Sequence, residues 1–171
     1  MFDLNQHLKD RHFDISKYND VIVDDTHNIV TFMLWNLSGQ MVGYQSYSPL
    51  LNKASGNHGK YLTHITDNKI GVWGLQVSQG SPSSVLYIVE GIFSACRLHN
   101  LGQNCIAVLA NDPKKIKSFL FSLPHETIAI CDGDKAGEKL GKYAAQSILL
   151  PKGKYIDEMP DEEIINLIMR K

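Results

Sequence analysis

Cysteine is scarce in this sequence, and it never occurs at the spacing of a metal site. Cys96, Cys105 and Cys131 are the three cysteines of the 171 residues, and each lies within or beside an apolar stretch. Structural zinc modules pair two cysteines about two to four residues apart, and no such pair occurs in this sequence, so we exclude one. We therefore expect three buried free thiols, which are typical of a reducing compartment.

Long apolar runs and an excess of one charge are also missing. No stretch approaches the roughly 20 apolar residues that cross a membrane, and the N-terminus has no basic segment followed by an apolar core. These absences predict a cytoplasmic protein with no membrane partner. Lys and Arg total 17 against 18 Asp and Glu, a net charge of -1. This balance argues against a surface coated in positive charge but leaves room for a local basic patch that binds nucleic acid.

The first half of the chain has the pattern of an antiparallel meander. Polar turns join three predicted strands, at 21–23, 29–35 and 41–47. Gly39 suits the positive φ that the second of these turns requires. A segment rich in Ser, Gly and Pro at 79–84 predicts a domain boundary. We therefore divide the chain into a small α+β subdomain at 1–80 and a second domain at 81–171.

The second half alternates apolar strands with helical patterns. Strands are predicted at 85–89, 105–109 and 127–131. They are apolar on both faces, as strands buried in a parallel sheet are. Helices are predicted at 92–100, 113–121, 136–149 and from 161 onwards. The third of these rests on the stripe of Leu140, Ala144 and Ile148, and the second carries a basic face of Lys114, Lys115 and Lys117.

Carboxylates follow two of the predicted strands. Glu90 comes directly after the first strand, and Asp132 and Asp134 follow the third. Ligands of open α/β sheets bind at the edge where the carboxyl ends of the strands meet. Three carboxylates crowded there repel one another unless a cation lies among them, and oxygen ligands suit Mg²⁺. The alternative, a helix cap and a turn, leaves the cost of placing acids at two buried strand ends unexplained.

These acidic segments resemble the two motifs of the Toprim domain, which DNA primases, topoisomerases and several nucleases share. The sequence Asp-Gly-Asp-Lys-Ala-Gly at 132–137 is most similar to the form found in bacterial and phage DNA primases. Weaker similarities follow in collinear order over residues 20–170, at 31–47, 59–62, 68–75 and 150–157. The resemblance implies an α/β Toprim fold: a Rossmann-like parallel sheet flanked by helices, preceded by a small mixed α+β subdomain.

The resemblance also implies roles for individual residues. Glu90, Asp132 and Asp134 would be catalytic, and together with Asp157 they would hold Mg²⁺ or Mn²⁺. Nucleotide phosphates or template would contact three lysines, Lys60, Lys69 and Lys135. From spacing alone, Lys60 and Lys69 are better interpreted as surface lysines, and only the resemblance favours a functional role for them. Three aromatic residues would either stack on template bases or belong to the core: Tyr44, Tyr47 and Trp73.

Three positions depart from the primase pattern. Ser94 and Tyr155 stand where such primases carry acids, and Tyr47 falls near an expected arginine, so that a basic role is left vacant. The chain also carries neither a zinc-binding spacing nor a helicase domain. A replicative helicase or a zinc-bearing subunit is therefore expected as a partner.

The function that the sequence predicts is Mg²⁺-dependent synthesis of short RNA primers from ribonucleoside triphosphates on single-stranded DNA during replication, including phage replication. Two alternatives stay open. One is a small Toprim nuclease that uses the same acids, and the other is a non-catalytic interaction module in a replication complex. The meander with Lys60 and Lys69 favours the primase, whereas the missing acids at Ser94 and Tyr155 keep the module in play.

Overall fold

A computed structural model describes residues 2–52, 59–67, 69–77, 84–110, 112–135 and 137–169. The chain forms two compact units, Met1–Trp73 and Gly74–Lys171. All of the boundary segment predicted at 79–84 except Ser84 lies outside the described residues.

The N-terminal unit is built on a four-stranded antiparallel sheet in which each strand pairs with the next along the chain. Its strands are β1 Val21–Asp24, β2 Ile29–Trp35, β3 Met41–Tyr47 and β4 Tyr61–Ile65. A short helix, α1 Leu4–Asp10, precedes them, and the Asp3 carboxylate caps it by accepting from the backbone N–H of Gln6. The three predicted strands are confirmed, and so is the positive φ of Gly39, at 70°. The fourth strand was not predicted.

Aromatic packing forms the core of this unit. Burial alternates along β2, so that Val30, Phe32 and Leu34 point into the core while their neighbours remain partly exposed. Trp73 packs on this face, with its ring 4.9 Å from that of Tyr18 and 5.9 Å from that of Phe32. These ring contacts hold Trp73, the last residue of the N-terminal unit, against the sheet.

The C-terminal unit is built on a parallel sheet, as predicted, but the sheet has four strands instead of the three predicted. They are β5 Leu86–Val89, β6 Cys105–Ala107, β7 Thr127–Cys131 and β8 Gln146–Leu149. Their order in the sheet is β6-β5-β7-β8. Its helices are α2 Ile92–Asn100, α3 Lys117–Phe121 and α4 Asp161–Met169. Every residue of β5, β6 and β7 is buried, which accounts for their unbroken apolar sequences.

The helix predicted over 136–149 is wrong. A 3₁₀ helix spans Gly137–Tyr143, and β8 follows it as an edge strand paired with β7. Gly137 and Gly141 lie within the predicted helix, and glycine weakens a helix interior. Pairing with the exposed edge of β7 also satisfies backbone groups that a surface helix would satisfy only internally. The helix predicted at 113–121 is divided as well, into a 3₁₀ turn at Lys114–Ile116 and the short helix α3.

The three cysteines are free and buried, as predicted. Over the described residues, no helix has the length and apolar character needed to span a bilayer.

Candidate active site

Glu90 and Asp132 directly follow two neighbouring parallel strands. β5 and β7 pair in parallel with Ile88 opposite Ala129, so both acids lie beyond the same edge of the sheet. Paired strands are about 4.8 Å apart, which brings the two backbones close together at this edge. The β6 strand ends here too, because the Leu109 N–H donates to the Glu90 carbonyl oxygen at 2.9 Å. Glu90 and Asp132 are half-buried, whereas Asp134 is exposed.

The turn that carries Asp132 and Asp134 has no room for a side chain at either of its glycines. A Cβ at Gly133 would overlap the carbonyl oxygen of Pro151, and one at Gly137 would overlap the carbonyl oxygen of Asp132. Asp134 closes the turn by accepting from the Gly137 N–H at 2.6 Å, and its own N–H donates to Asp132 O at 2.7 Å. Both glycines are thus required for steric reasons, because the backbone folds back over Asp132, the first acid of the motif.

Asp157 lies in a 3₁₀ turn, Ile156–Glu158, and is half-buried. This turn packs against α2, the helix that begins immediately after Glu90 and Gly91. The segment leading to it leaves β8 beside the acidic turn, since the Leu150 N–H donates to Cys131 O at 2.9 Å. Asp157 therefore lies in the same unit as the other three acids, and the segment that leads to Asp157 passes beside the acidic turn.

The donor set has the chemistry of a Mg²⁺ site, although the acids do not form a closed cage. Among the residues described, no three His, Cys, Asp or Glu side chains are grouped to hold a metal ion. Mg²⁺ is commonly bound through one or two carboxylates, with waters and substrate phosphates as its other ligands. Two acids at adjacent strand ends fit that mode of binding, and the cradle formed by Gly133 and Gly137 fixes the backbone of one of them.

The lysines predicted to contact nucleotide or template fall in different units. Lys135 follows the acidic turn in the C-terminal unit and is exposed. Lys60 and Lys69 lie in the N-terminal unit, where Lys60 is half-buried and Lys69 is exposed. Lys60 is anchored through its backbone, because its N–H donates to Asn52 O and its carbonyl accepts from Ser48 N–H, each at 2.9 Å.

An arginine that the sequence analysis missed reaches the position where the basic role looked vacant. Arg11, just beyond α1, places its Nη1 3.3 Å from the Tyr47 hydroxyl and 3.2 Å from the Tyr61 hydroxyl. The Lys60 ammonium lies 5.7 Å from the centre of the Tyr47 ring, and the Arg11 guanidinium carbon lies 5.6 Å from it. Two cations therefore flank the ring at position 47. No local sequence pattern predicts the contact between Arg11 and Tyr47, because the two residues are 36 positions apart.

His7 completes this basic cluster of His7, Arg11 and Lys60 around Tyr47. Its Nε2 lies 2.7 Å from the Tyr47 hydroxyl oxygen. Burial, reinforced by the charges of Arg11 and Lys60, lowers the pKa of His7, whereas Asp10 opposes the shift. Arginine can only donate, so we assign the Tyr47 oxygen as acceptor from Arg11 and its proton as the donor to neutral His7.

Two of the three aromatic residues considered for base stacking belong to the core. Tyr47 and Trp73 are fully buried, so neither offers a face to a template strand. Tyr44 is half-buried, and its ring lies 5.5 Å from that of His64.

Solved structures with a similar fold are known. A DnaG catalytic core aligns with 97% of this chain at a TM-score of 0.63 and 19% identity. The catalytic domain of DnaG primase bound to single-stranded DNA aligns with 91% at a TM-score of 0.59 and 18% identity. The primase fragment of the bacteriophage T7 primase-helicase aligns with 91% at a TM-score of 0.62 and 14% identity. The chain has the fold of a primase catalytic core.

The likeness lies in the fold and not in close sequence identity. The chain spans 59% of the length of each of the two DnaG structures and 68% of the T7 fragment. No protein-family model matches the sequence. No curated protein matches it either. The Toprim-type, primase-like fold implied by the acidic motifs is confirmed.

Proposed function

We propose that this protein is a primase-type nucleotidyltransferase that makes short RNA primers on single-stranded DNA with Mg²⁺ or Mn²⁺. One observation carries the proposal: Glu90 and Asp132 follow adjacent parallel strands within a fold shared with primase catalytic cores. The similarity also extends over the N-terminal unit, because the alignment covers nearly the whole chain. A nuclease that needed only the acidic edge would not explain that extent.

The acids would act together on the phosphates of the incoming nucleotide. Asp132 and Asp134 would hold the metal, with Asp157 assisting, and Glu90 would orient it or take the proton from the attacking 3′-hydroxyl. When bound, the ion offsets the charge that develops on the triphosphate and the leaving pyrophosphate. Lys135, exposed next to the acidic turn, would contact nucleotide phosphates.

The basic cluster of the N-terminal unit would bind phosphates of the template strand. Arg11 and Lys60 supply positive charge around Tyr47, and Tyr47 and Tyr61 orient the Arg11 guanidinium. Lys69 would add a further phosphate contact. Binding through a few phosphate contacts is weak and falls steeply with salt. We therefore expect the chain alone to prime poorly, and a helicase or zinc-bearing partner to raise the rate by increasing its effective concentration on the template.

Primer synthesis from labelled ribonucleotides on single-stranded DNA tests the proposal. The wild-type chain should make short labelled RNA only with Mg²⁺ or Mn²⁺, and Asp132→Asn should make none. Glu138→Gln is the matched control, because it removes an exposed carboxylate close to the acidic turn and should leave synthesis unchanged.

A parallel reaction with end-labelled RNA and DNA separates the alternatives. Metal-dependent cleavage that Asp132→Asn abolishes, with no synthesis, would assign the chain as a nuclease. If neither reaction occurs even with replication partners present, the interaction module is the correct assignment.

A further inference from the structure

Arg97 in α2 is a buried charge that the proposed chemistry does not use. Only 4% of its surface is exposed, yet its guanidinium is always protonated. Its Nη2 donates to the carbonyl oxygen of Met159 at 2.6 Å and lies 2.6 Å from Oδ1 of Asp161. Its Nε is buried and has no hydrogen-bond partner among the residues that the structure describes. The Nη2 atom of Arg97 therefore makes two short contacts, and both are to one neighbouring segment.

Both contacts fall on the segment that carries Asp157. Met159 closes the 3₁₀ turn Ile156–Glu158, and Asp161 begins α4. One guanidinium thus holds the end of the turn and the start of the next helix. Because α2 begins directly after Glu90 and Gly91, Arg97 lies roughly 7.5 Å along the helix from its first residue. Arg97 therefore connects the helix that follows one acid with the turn that contains another.

Packing alone does not require an arginine here. Ile156 and Met159 in and after the turn, and Ile164 in α4, are all buried, so this segment already contributes apolar surface to the core. In other proteins, apolar residues of similar volume can replace a buried ion pair with little loss of stability or even a gain. Burying the Arg97 charge with its Nε unsatisfied costs free energy, so it is a poor way merely to hold α2 and the Asp157 segment together. Its two directed contacts do, however, fix the position of one element relative to the other.

We propose that Arg97 is a positioning residue that fixes the Asp157 turn against α2 and so sets the place of Asp157 relative to Glu90. The inference rests on the proposed function, in which these two acids serve one metal site. Arg97 itself touches neither substrate nor metal. It acts through the backbone of Met159 and the carboxylate of Asp161.

Metal affinity, measured without turnover, tests this inference. Mn²⁺ binding to the full chain is followed by electron paramagnetic resonance of the free ion, and the fold is checked by circular dichroism. Loss of a residue that orients a metal ligand commonly weakens affinity by 10–100-fold, so Arg97→Met should raise the Kd for Mn²⁺ roughly tenfold. Arg97→Lys and Asp161→Asn should each raise it less, and they remain informative if Arg97→Met does not fold.

Lys154→Met is the matched control on the same segment. Lys154 pairs with Glu163 at 3.8 Å, and both side chains are half exposed, so breaking this pair should leave Mn²⁺ affinity unchanged. Lower thermal stability in the Arg97 and Asp161 variants with wild-type Mn²⁺ affinity would overturn the inference.

A double variant shows whether Arg97 acts through Asp157. In the Asp157→Asn background, Arg97→Met should weaken Mn²⁺ binding no further, because the residue that it positions has already lost its charge. An equal additional loss in that background would refute the inference. Failure of the wild-type chain to bind Mn²⁺ at all would instead refute the metal site of the proposed function, so the two failures are distinguishable.

Discussion

Replacing Gly133 with alanine should destabilise the C-terminal unit, because the added Cβ has no room. It would overlap the Pro151 carbonyl oxygen and lie 2.7 Å from the Leu150 carbonyl oxygen. Both are backbone atoms, and the Leu150 N–H is itself bonded to Cys131 O, so relief requires the chain to move away from β7. Overpacking costs about 1–3 kcal/mol, and a backbone obstruction favours the upper end. At roughly 2–4 °C per kcal/mol, a loss of ~3 kcal/mol lowers the Tm by about 6–12 °C.

Gly91 provides the matched control within the other acidic motif. The nearest atom to a Cβ there is Ser94 Oγ at 4.0 Å, and the backbone at φ -102° and ψ 151° suits alanine. Poorer helix capping and a less flexible unfolded chain oppose each other, so Gly91→Ala should change stability by less than about 1 kcal/mol. Thermal unfolding followed by circular dichroism compares the two variants. Equal Tm values would contradict the close passage of Pro151 over the acidic turn.

Three further changes test the acidic edge and the basic cluster. Asp132→Asn should abolish primer synthesis but leave the Tm unchanged or slightly higher, because it relieves charge repulsion; a large fall would mean that Asp132 is structural. Lowering the pH from about 7.5 to 5.5 should lower the urea midpoint of unfolding. The pKa of His7 in the folded state lies below its unfolded value of about 6.5, so the unfolded chain takes up the proton first. Stability is therefore lost as the pH falls below the unfolded pKa. The His7→Gln variant should show a weaker pH dependence, and an identical profile would exclude His7 as the cause. Arg11→Ala should reduce the slope of log affinity for single-stranded DNA against log salt by about 0.7, whereas Lys9→Ala, in the helix that Arg11 follows, should not change it. Equal slopes in the two variants would exclude Arg11 from the template contacts.

The strands that position the acids could be predicted because burial on both faces leaves an unbroken apolar sequence. β5 and β7 have this pattern, and each is followed at once by an acid and a glycine. In the meander, the alternation around Val42 and Tyr44 indicated β3, whereas β2 is apolar at nearly every position and its alternation is seen only in the burial of its side chains. Local sequence specifies these strands because each one buries one or both of its faces.

The elements that were missed lie at sheet edges or depend on distant contacts. β4 and β8 are edge strands with largely exposed side chains, so neither shows a clear period of two. Leu140 and Ile148 then mimicked a helical stripe, although Leu140 is a buried residue of the 3₁₀ helix and Ile148 lies in β8. Arg11 beside Tyr47 is a tertiary contact between a helix end and a strand end, which no local pattern can encode.

Anomalous diffraction from crystals soaked in Mn²⁺ tests the proposed metal site most directly. We expect an ion at Asp132 and Asp134, with the Glu90 carboxylate in direct or water-bridged contact. Binding of Mn²⁺ elsewhere, or a Glu90 carboxylate that points away from the aspartates and lies beyond water-bridged reach, would contradict it.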